Sequence, residues 1–187
     1  MLQWLRSRSH IRRKAGEIYG AVVAAARQPV FYRQYRVPDT PEGRFEMVAL
    51  VLFLVLERVK RVSPDGEALT QGAIEAFVTD MDDCMREMGV GDLTVPKKVK
   101  CAAAAFYERA RQYRGHLGSG QATDASTNGL AAALARFVFA AQPGGHVEAL
   151  AKYVQGVSRR LARASDGDLD GIGLGSLLSE QEEKQAI

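Results

Sequence analysis

The sequence predicts an all-α fold, a single-domain bundle of about six helices around one central apolar helix. Three observations predict it. Apolar residues recur at steps of three and four along most of the chain, the period of a helix and not of a strand. The run from Met47 to Leu56 is apolar on every helical face, so neighbouring helices must surround it. No stretch alternates apolar and polar residues convincingly, as a half-buried strand would. A length of 187 residues, 47% hydrophobic and 25% charged, is enough for one core without disulfides or a structural metal.

Each element has its own signal. Ile11, Ala15, Ile18, Val22 and Ala26 form one stripe of a first helix that ends before Pro29. Thr40, Pro41 and Glu42 then read as an N-cap, a proline at the first helical position and an acid near the positive end of the helix dipole. The second helix that starts there carries the Met47–Leu56 run. At about 1.5–3 kcal/mol per large buried side chain, that run is the largest single source of core stability. Ser63-Pro64-Asp65-Gly66 is the turn that stops it. Ile74, Phe77, Met81, Met85 and Met88 mark a third helix, closed by Gly89 as a left-handed C-cap, with Gly91 as a second hinge.

Thr94 and Pro96 restart the chain in a fourth helix with the stripe Val99, Ala103, Phe106, Ala110 and Tyr113. Lys97, Lys98 and Lys100 crowd its first turn, where the dipole disfavours cations and an acidic neighbour or anionic partner would relieve them. Leu130, Leu134, Phe137 and Ala141 define a fifth helix, and Val147, Leu150, Val154, Val157 and Leu161 a sixth, with Pro143-Gly144-Gly145 as the break between them.

The net charge is only +3, but its distribution is uneven. Residues 1–36 hold eight Arg or Lys and one acid, whereas residues 164–187 hold six acids and one Lys. Three segments follow: a basic N-terminal segment over 1–14, a helical domain over 15–163 and a flexible acidic tail over 164–187. The tail is rich in Gly, Asp, Ser and Glu and lacks the apolar density that offsets ordering entropy. The longest apolar run has ten residues, against about 18–20 for a membrane span. Cys84 and Cys101 lack a paired zinc-site spacing, which fits a reducing compartment and a cytoplasmic location.

Enzyme chemistry has little apparatus. There is no phosphate loop, no dinucleotide fingerprint and no nucleophile elbow. Asp80, Asp83 and Glu87 share a helix face at a spacing that would offer carboxylates to a divalent cation, but no second acidic cluster of comparable density faces them. Asp82 and Arg86 are an i, i+4 ion pair in the favourable order, so a solvated helix face is the preferred reading. Asp166-Gly167-Asp168-Leu169-Asp170-Gly171 matches the first half of a calcium loop, yet Leu177 stands where the bidentate glutamate belongs. His10, His116 and His146 lie far apart without metal-ligand spacing. The chain is therefore expected to be a non-enzyme without metal, cofactor or small-molecule substrate. Arg6, Arg8, Arg12, Arg13 and Lys14, beside Trp4, suit an anionic membrane surface, RNA phosphates, or nothing but water, and residue type alone leaves all three open.

The chain also resembles a known family. Ile18-Tyr19-Gly20 through Ala26-Arg27-Gln28-Pro29 and Phe31-Tyr32 is one motif; Val37-Pro38-Asp39-Thr40-Pro41-Glu42-Gly43-Arg44-Phe45-Glu46 is the second. Thr79-Asp80-Met81-Asp82-Asp83 with Arg86-Glu87-Met88-Gly89-Val90-Gly91-Asp92-Leu93 is the third, and Val95-Pro96-Lys97-Lys98-Val99-Lys100 with Ala105-Phe106-Tyr107 the fourth. In this order, over roughly residues 15–160, they resemble the ubiquinol-cytochrome c chaperone family. The resemblance implies an assembly factor for the respiratory cytochrome bc complex with cytochrome b as client. Mitochondrial members work on the matrix side near the ribosome; this chain lacks their long N-terminal extension and looks like the bacterial form, working at the inner face of the cytoplasmic membrane.

On that resemblance the client surface is expected at Tyr32, Tyr35, Asp39, Arg44, Asp80, Asp83, Arg86, Glu87, Asp92, Lys97 and Lys98, each of which also has an ordinary role as a cap or solvated ion pair. The competing expectation is an RNA- or ribosome-binding helical module that uses the basic N-terminal segment.

Overall fold

The computed structural model describes residues 2–117, 124–140 and 146–179, with the side chains of residues 2–7, 124 and 125 left aside. These residues form helices and no strand: α1 (Leu2–Ala26), α2 (Pro29–Arg33), α3 (Pro41–Val62), α4 (Gly66–Glu87), α5 (Val95–Leu117), α6 (Asp124–Phe137), α7 (Val147–Arg163), a 3-10 turn (Asp166–Leu169) and α8 (Gly171–Leu178). The six long helices are those the periodicity predicts; α2 and α8 are short additions.

The centre is α3, where every residue from Glu46 to Leu56 is buried. It is packed by α1, α4, α5 and α7, so little of the apolar run meets water. Its start is fixed as the sequence suggests: Thr40 is extended, its hydroxyl accepts a hydrogen bond from the Gly43 amide at 3.1 Å, and Pro41 opens the helix. Gly43 is required there, because a Cβ would collide with the Pro38 carbonyl oxygen.

Around α3 the predicted stripes are only partly buried. In α1 the stripe Ala15, Ile18, Val22 and Ala26 is buried, with Ile11 half-buried. In α4 burial is complete at Leu69, Ala73 and Phe77 but fades through Met81 and Met85 to Met88, which is exposed. The last two turns of α4 thus project past the core. In α5, Phe106, Ala110 and Tyr113 are buried while Val99 and Ala103 are half-buried. The expected Pro143-Gly144-Gly145 break and Ala141 lie outside the described residues.

One expectation about the ends is corrected, and one compositional boundary is crossed by a helix. The boundary after residue 14 is no break, since α1 runs through it as a single helix. Arg13 pairs with Glu17 at 3.0 Å and Lys14 reaches Asp166 at 3.2 Å, so part of the basic segment is engaged within the fold. The segment after Ala164 is not a flexible tail through residue 178: it folds back along α1, burying Leu169, Leu174 and Leu178.

Two of its acids act as caps. Asp168 accepts from the Ser165 hydroxyl and amide, and Asp170 from the Gly173 amide. Asp166 and Asp168 are held below the usual aspartate range, Asp166 chiefly by the Ser63 hydroxyl and Asp168 chiefly by that of Ser165. The carbonyls at the end of α8 are satisfied from α7, by Tyr153 on Leu178 at 2.7 Å and by Arg160 on Leu177 and Ser179. Residues 180–187, the rest of the expected tail, lie outside the described residues.

This docking predicts that Leu174→Ala lowers unfolding stability by about 2–5 kcal/mol, as for any well-packed leucine. Urea denaturation followed by circular dichroism measures it, and an unchanged midpoint would mean that α8 is not part of the core.

Candidate functional site

The projecting end of α4 and the turn into α5 form a surface with exposed apolar side chains. The helix ends in a Schellman arrangement: the Gly89 amide bonds the Arg86 carbonyl and the Val90 amide the Met85 carbonyl, with Gly89 in the left-handed region at φ +77°. A second tight turn follows, in which the Gly91 carbonyl accepts from the Thr94 amide at 2.7 Å. Arg86 holds both turns together, donating to Asp82 at 2.5 Å and to Asp92 at 2.6 Å. The ion pairs raise the Arg86 guanidinium further, with Asp82 the larger influence.

This built turn displays apolar side chains to solvent. Leu93 is 99% exposed and Met88 59%, beside Val90, which is half-buried. Asp83 and Glu87 lie exposed on the outer face of α4, and Lys97 and Lys98 on the first turn of α5. Among the described residues neither lysine forms an ion pair, and nearby Asp92 pairs with Arg86.

The remaining expected residues divide. Asp80 faces inward and accepts a 2.7 Å hydrogen bond from Tyr19, which ties α4 to α1. Burial, and then Asp80, push the Tyr19 phenol up. Asp80 also raises the Cys84 thiol, though burial does so more. Tyr35 is buried and packs against Phe31 and Tyr153, with centroids 6.0 and 5.9 Å away. It is a core residue. Tyr32 is half-buried and donates to the Ala26 carbonyl; Asp39 and Arg44 form an exposed ion pair at 2.7 Å across the start of α3.

The expected surface therefore falls into two groups, one at the start of α3 and one at the α4–α5 turn. Burial raises both the Tyr32 phenol and the Cys84 thiol, and Arg27 offsets a small part of each. Arg8, Arg12 and Arg13 are exposed on α1; Trp4 and Arg6 lie among the residues whose side chains are not described. Among the described residues no three His, Cys, Asp or Glu side chains are placed to share a metal ion, and no helix is long and apolar enough to cross a membrane.

Sequence reasoning misses the buried ion pair of Glu46 and Arg109. Glu46, 6% exposed, receives two prongs from Arg109, Nε at 2.8 Å to Oε2 and Nη2 at 2.6 Å to Oε1. The guanidinium also lies over Phe137 at 4.6 Å and Phe45 at 5.8 Å. Burial pushes the Glu46 carboxyl up, and Arg109 offsets only part of that. The Tyr113 hydroxyl beside this pair is buried with no hydrogen-bond partner among the described residues. Glu46 and Arg109 are 63 positions apart, so no local spacing announces them.

The fold and the turn define a class: an all-helical protein in which two exposed apolar side chains, Leu93 and Met88, stand on a hydrogen-bonded corner, with Tyr107 and Ile172 exposed elsewhere. Against known proteins, the sequence profile of the ubiquinol-cytochrome C chaperone family matches residues 33–171, and the chain belongs to that family. It is similar to the crystal structure of the Cbp3 homolog from Brucella abortus, with 37% identity over 93% of each chain and a TM-score of 0.75. Curated protein sequences give no match.

Two outcomes follow from the buried contacts. Arg109→Ala leaves Glu46 desolvated without a partner, at a cost of about 3–5 kcal/mol near neutral pH. In that variant the folded-state pKa of Glu46 lies further above its unfolded value, so the folded state binds a proton that the unfolded state has released. Stability is then lost as pH rises above the ordinary glutamate range, and the deficit measured by urea denaturation shrinks at about pH 5. Tyr19→Phe removes one hydrogen bond to a carboxylate and lowers stability by about 1.5–3 kcal/mol; an unchanged midpoint would leave Asp80 free for another role.

Proposed function

We propose that this protein is a non-catalytic chaperone for assembly of the ubiquinol-cytochrome c reductase complex, and that it holds cytochrome b or an assembly intermediate of it through the α4–α5 corner. Membership of the chaperone family and the likeness to the Brucella abortus Cbp3 homolog support the class of function. The single observation that carries the surface is Leu93, almost wholly exposed on a turn fixed at both ends by hydrogen bonds and by Arg86.

A large side chain carried on a hydrogen-bonded turn leaves little backbone entropy to lose on binding, so most of its burial against a client, at about 25 cal/mol per Å², contributes to affinity. Met88 enlarges the patch, while Asp83, Glu87, Lys97 and Lys98 surround it with both signs of charge and set the orientation of what docks. Tyr32, Asp39, Arg44 and Arg27 extend the same contact toward the start of α3. A client that is itself a membrane protein places this encounter at the inner face of the cytoplasmic membrane.

Deleting the gene should lower assembled cytochrome bc complex on native gels. The double variant Leu93→Ser with Met88→Ser should keep its helical spectrum and melting midpoint, because exposed substitutions change stability by within about 0.5 kcal/mol, and should restore the complex poorly while losing co-purification of cytochrome b. Full complementation by the variant would move the client surface elsewhere, and normal complex levels in the deletion would remove the chaperone reading.

A further inference from the structure

At the opposite end of α5 from the corner, the last turns of α3, α5 and α7 enclose a cleft of about 90 Å³. Lys97 and Arg114 are 17 positions apart on α5, so at 1.5 Å per residue the cleft lies roughly 25 Å from the α4–α5 turn. Its floor is apolar, made by Phe53, Leu54, Leu117 and Leu161. Its rim is basic: Arg58, Arg61 and Arg114 stand around a single carboxylate, Glu57.

The rim is arranged around that carboxylate. Arg114 donates to Glu57 at 2.7 Å and lies over the Phe53 ring at 5.9 Å, and Arg61 approaches the other carboxylate oxygen at 3.7 Å. Arg58 donates to the Ala164 carbonyl and so holds the end of α7 in place. Three guanidiniums against one carboxylate leave an excess of positive charge over an apolar floor. Arg61 and Arg114 are both more than half exposed, so a second carboxylate can reach them without unfolding anything.

We infer that this cleft is a second docking site, for a segment of a partner protein that carries a carboxylate next to a branched aliphatic side chain. The aliphatic group enters the cleft and lies on the apolar floor, and the carboxylate shares Arg61 and Arg114 with Glu57. Charge complementarity selects the anion. The floor and the volume select what accompanies it: an inorganic anion gains nothing from Phe53 and Leu161, and a long acyl chain does not fit a space of this size. The site is separate from the client corner and does not depend on which protein docks there.

The test uses the full chain and a fluorescein-labelled peptide, Gly-Ser-Glu-Leu-Glu-Ser-Gly, with anisotropy as readout. The peptide should bind with an affinity that falls as salt rises, and exchanging both of its glutamates for glutamine, or its leucine for alanine, should weaken binding about tenfold. Arg61→Glu should weaken it by a similar factor, while Glu57→Gln, which removes the competing carboxylate, should tighten it several-fold; circular dichroism checks that both variants are folded. Equal affinity for the glutamine peptide, indifference to both variants, or competition by millimolar inorganic phosphate with no dependence on the leucine would overturn the proposal. So would binding of phosphatidylglycerol vesicles through the same arginines in the absence of any peptide binding.

Discussion

A helix with no polar face has nowhere to meet water, and from Met47 to Leu56 α3 is such a helix. The rest of the architecture answers that constraint. Helices α1, α4, α5 and α7 each turn an apolar stripe toward it, and the polar faces they keep become the outer surface of the bundle. Because the wall is made of helices longer than the apolar run, their ends project beyond it. The features that stand out for binding, the α4–α5 turn and the basic cleft, sit at those ends. Among the described residues the buried charged side chain is Glu46, just before the run, and Arg109 neutralises it from α5.

Much of this was legible from local chemistry. Thr40 with Pro41, the Ser63-Pro64-Asp65-Gly66 turn and Gly89 are interactions within a few residues, and each does what its residue type suggests. What was not legible depends on partners far away in sequence. The segment after Ala164 reads as a tail because its composition is poor in apolar residues, but Tyr153 and Arg160 supply the bonds that its backbone needs and α1 supplies the surface that Leu174 covers. The same is true of Glu46 and Arg109. Exposure is equally hard to read: Met88 belongs to a regular stripe, and only the place where the core stops decides that it is left outside.

The candidate site shows a related lesson about charged clusters. Asp80, Asp82 and Asp83 are adjacent in sequence and look like one acidic group, yet the helix sends them to three different tasks. Asp80 accepts from Tyr19, Asp82 pairs with Arg86, and Asp83 faces solvent. Tyr32 and Tyr35 likewise part, one toward the Ala26 carbonyl and the other into the aromatic packing of Phe31 and Tyr153. Sequence proximity located the right region but not the residues within it that remain available for a partner.

The enclosure of α3 also bears on how the chain is made. Its wall includes α7, which begins at Val147, more than ninety positions after the apolar run ends. During translation the most hydrophobic stretch of the molecule therefore emerges well before its last covering helix. At roughly 5–20 residues per second this interval lasts some seconds, during which a partly walled helix offers its open side to other nascent chains. A protein that looks after others in this way begins life in need of the same shelter.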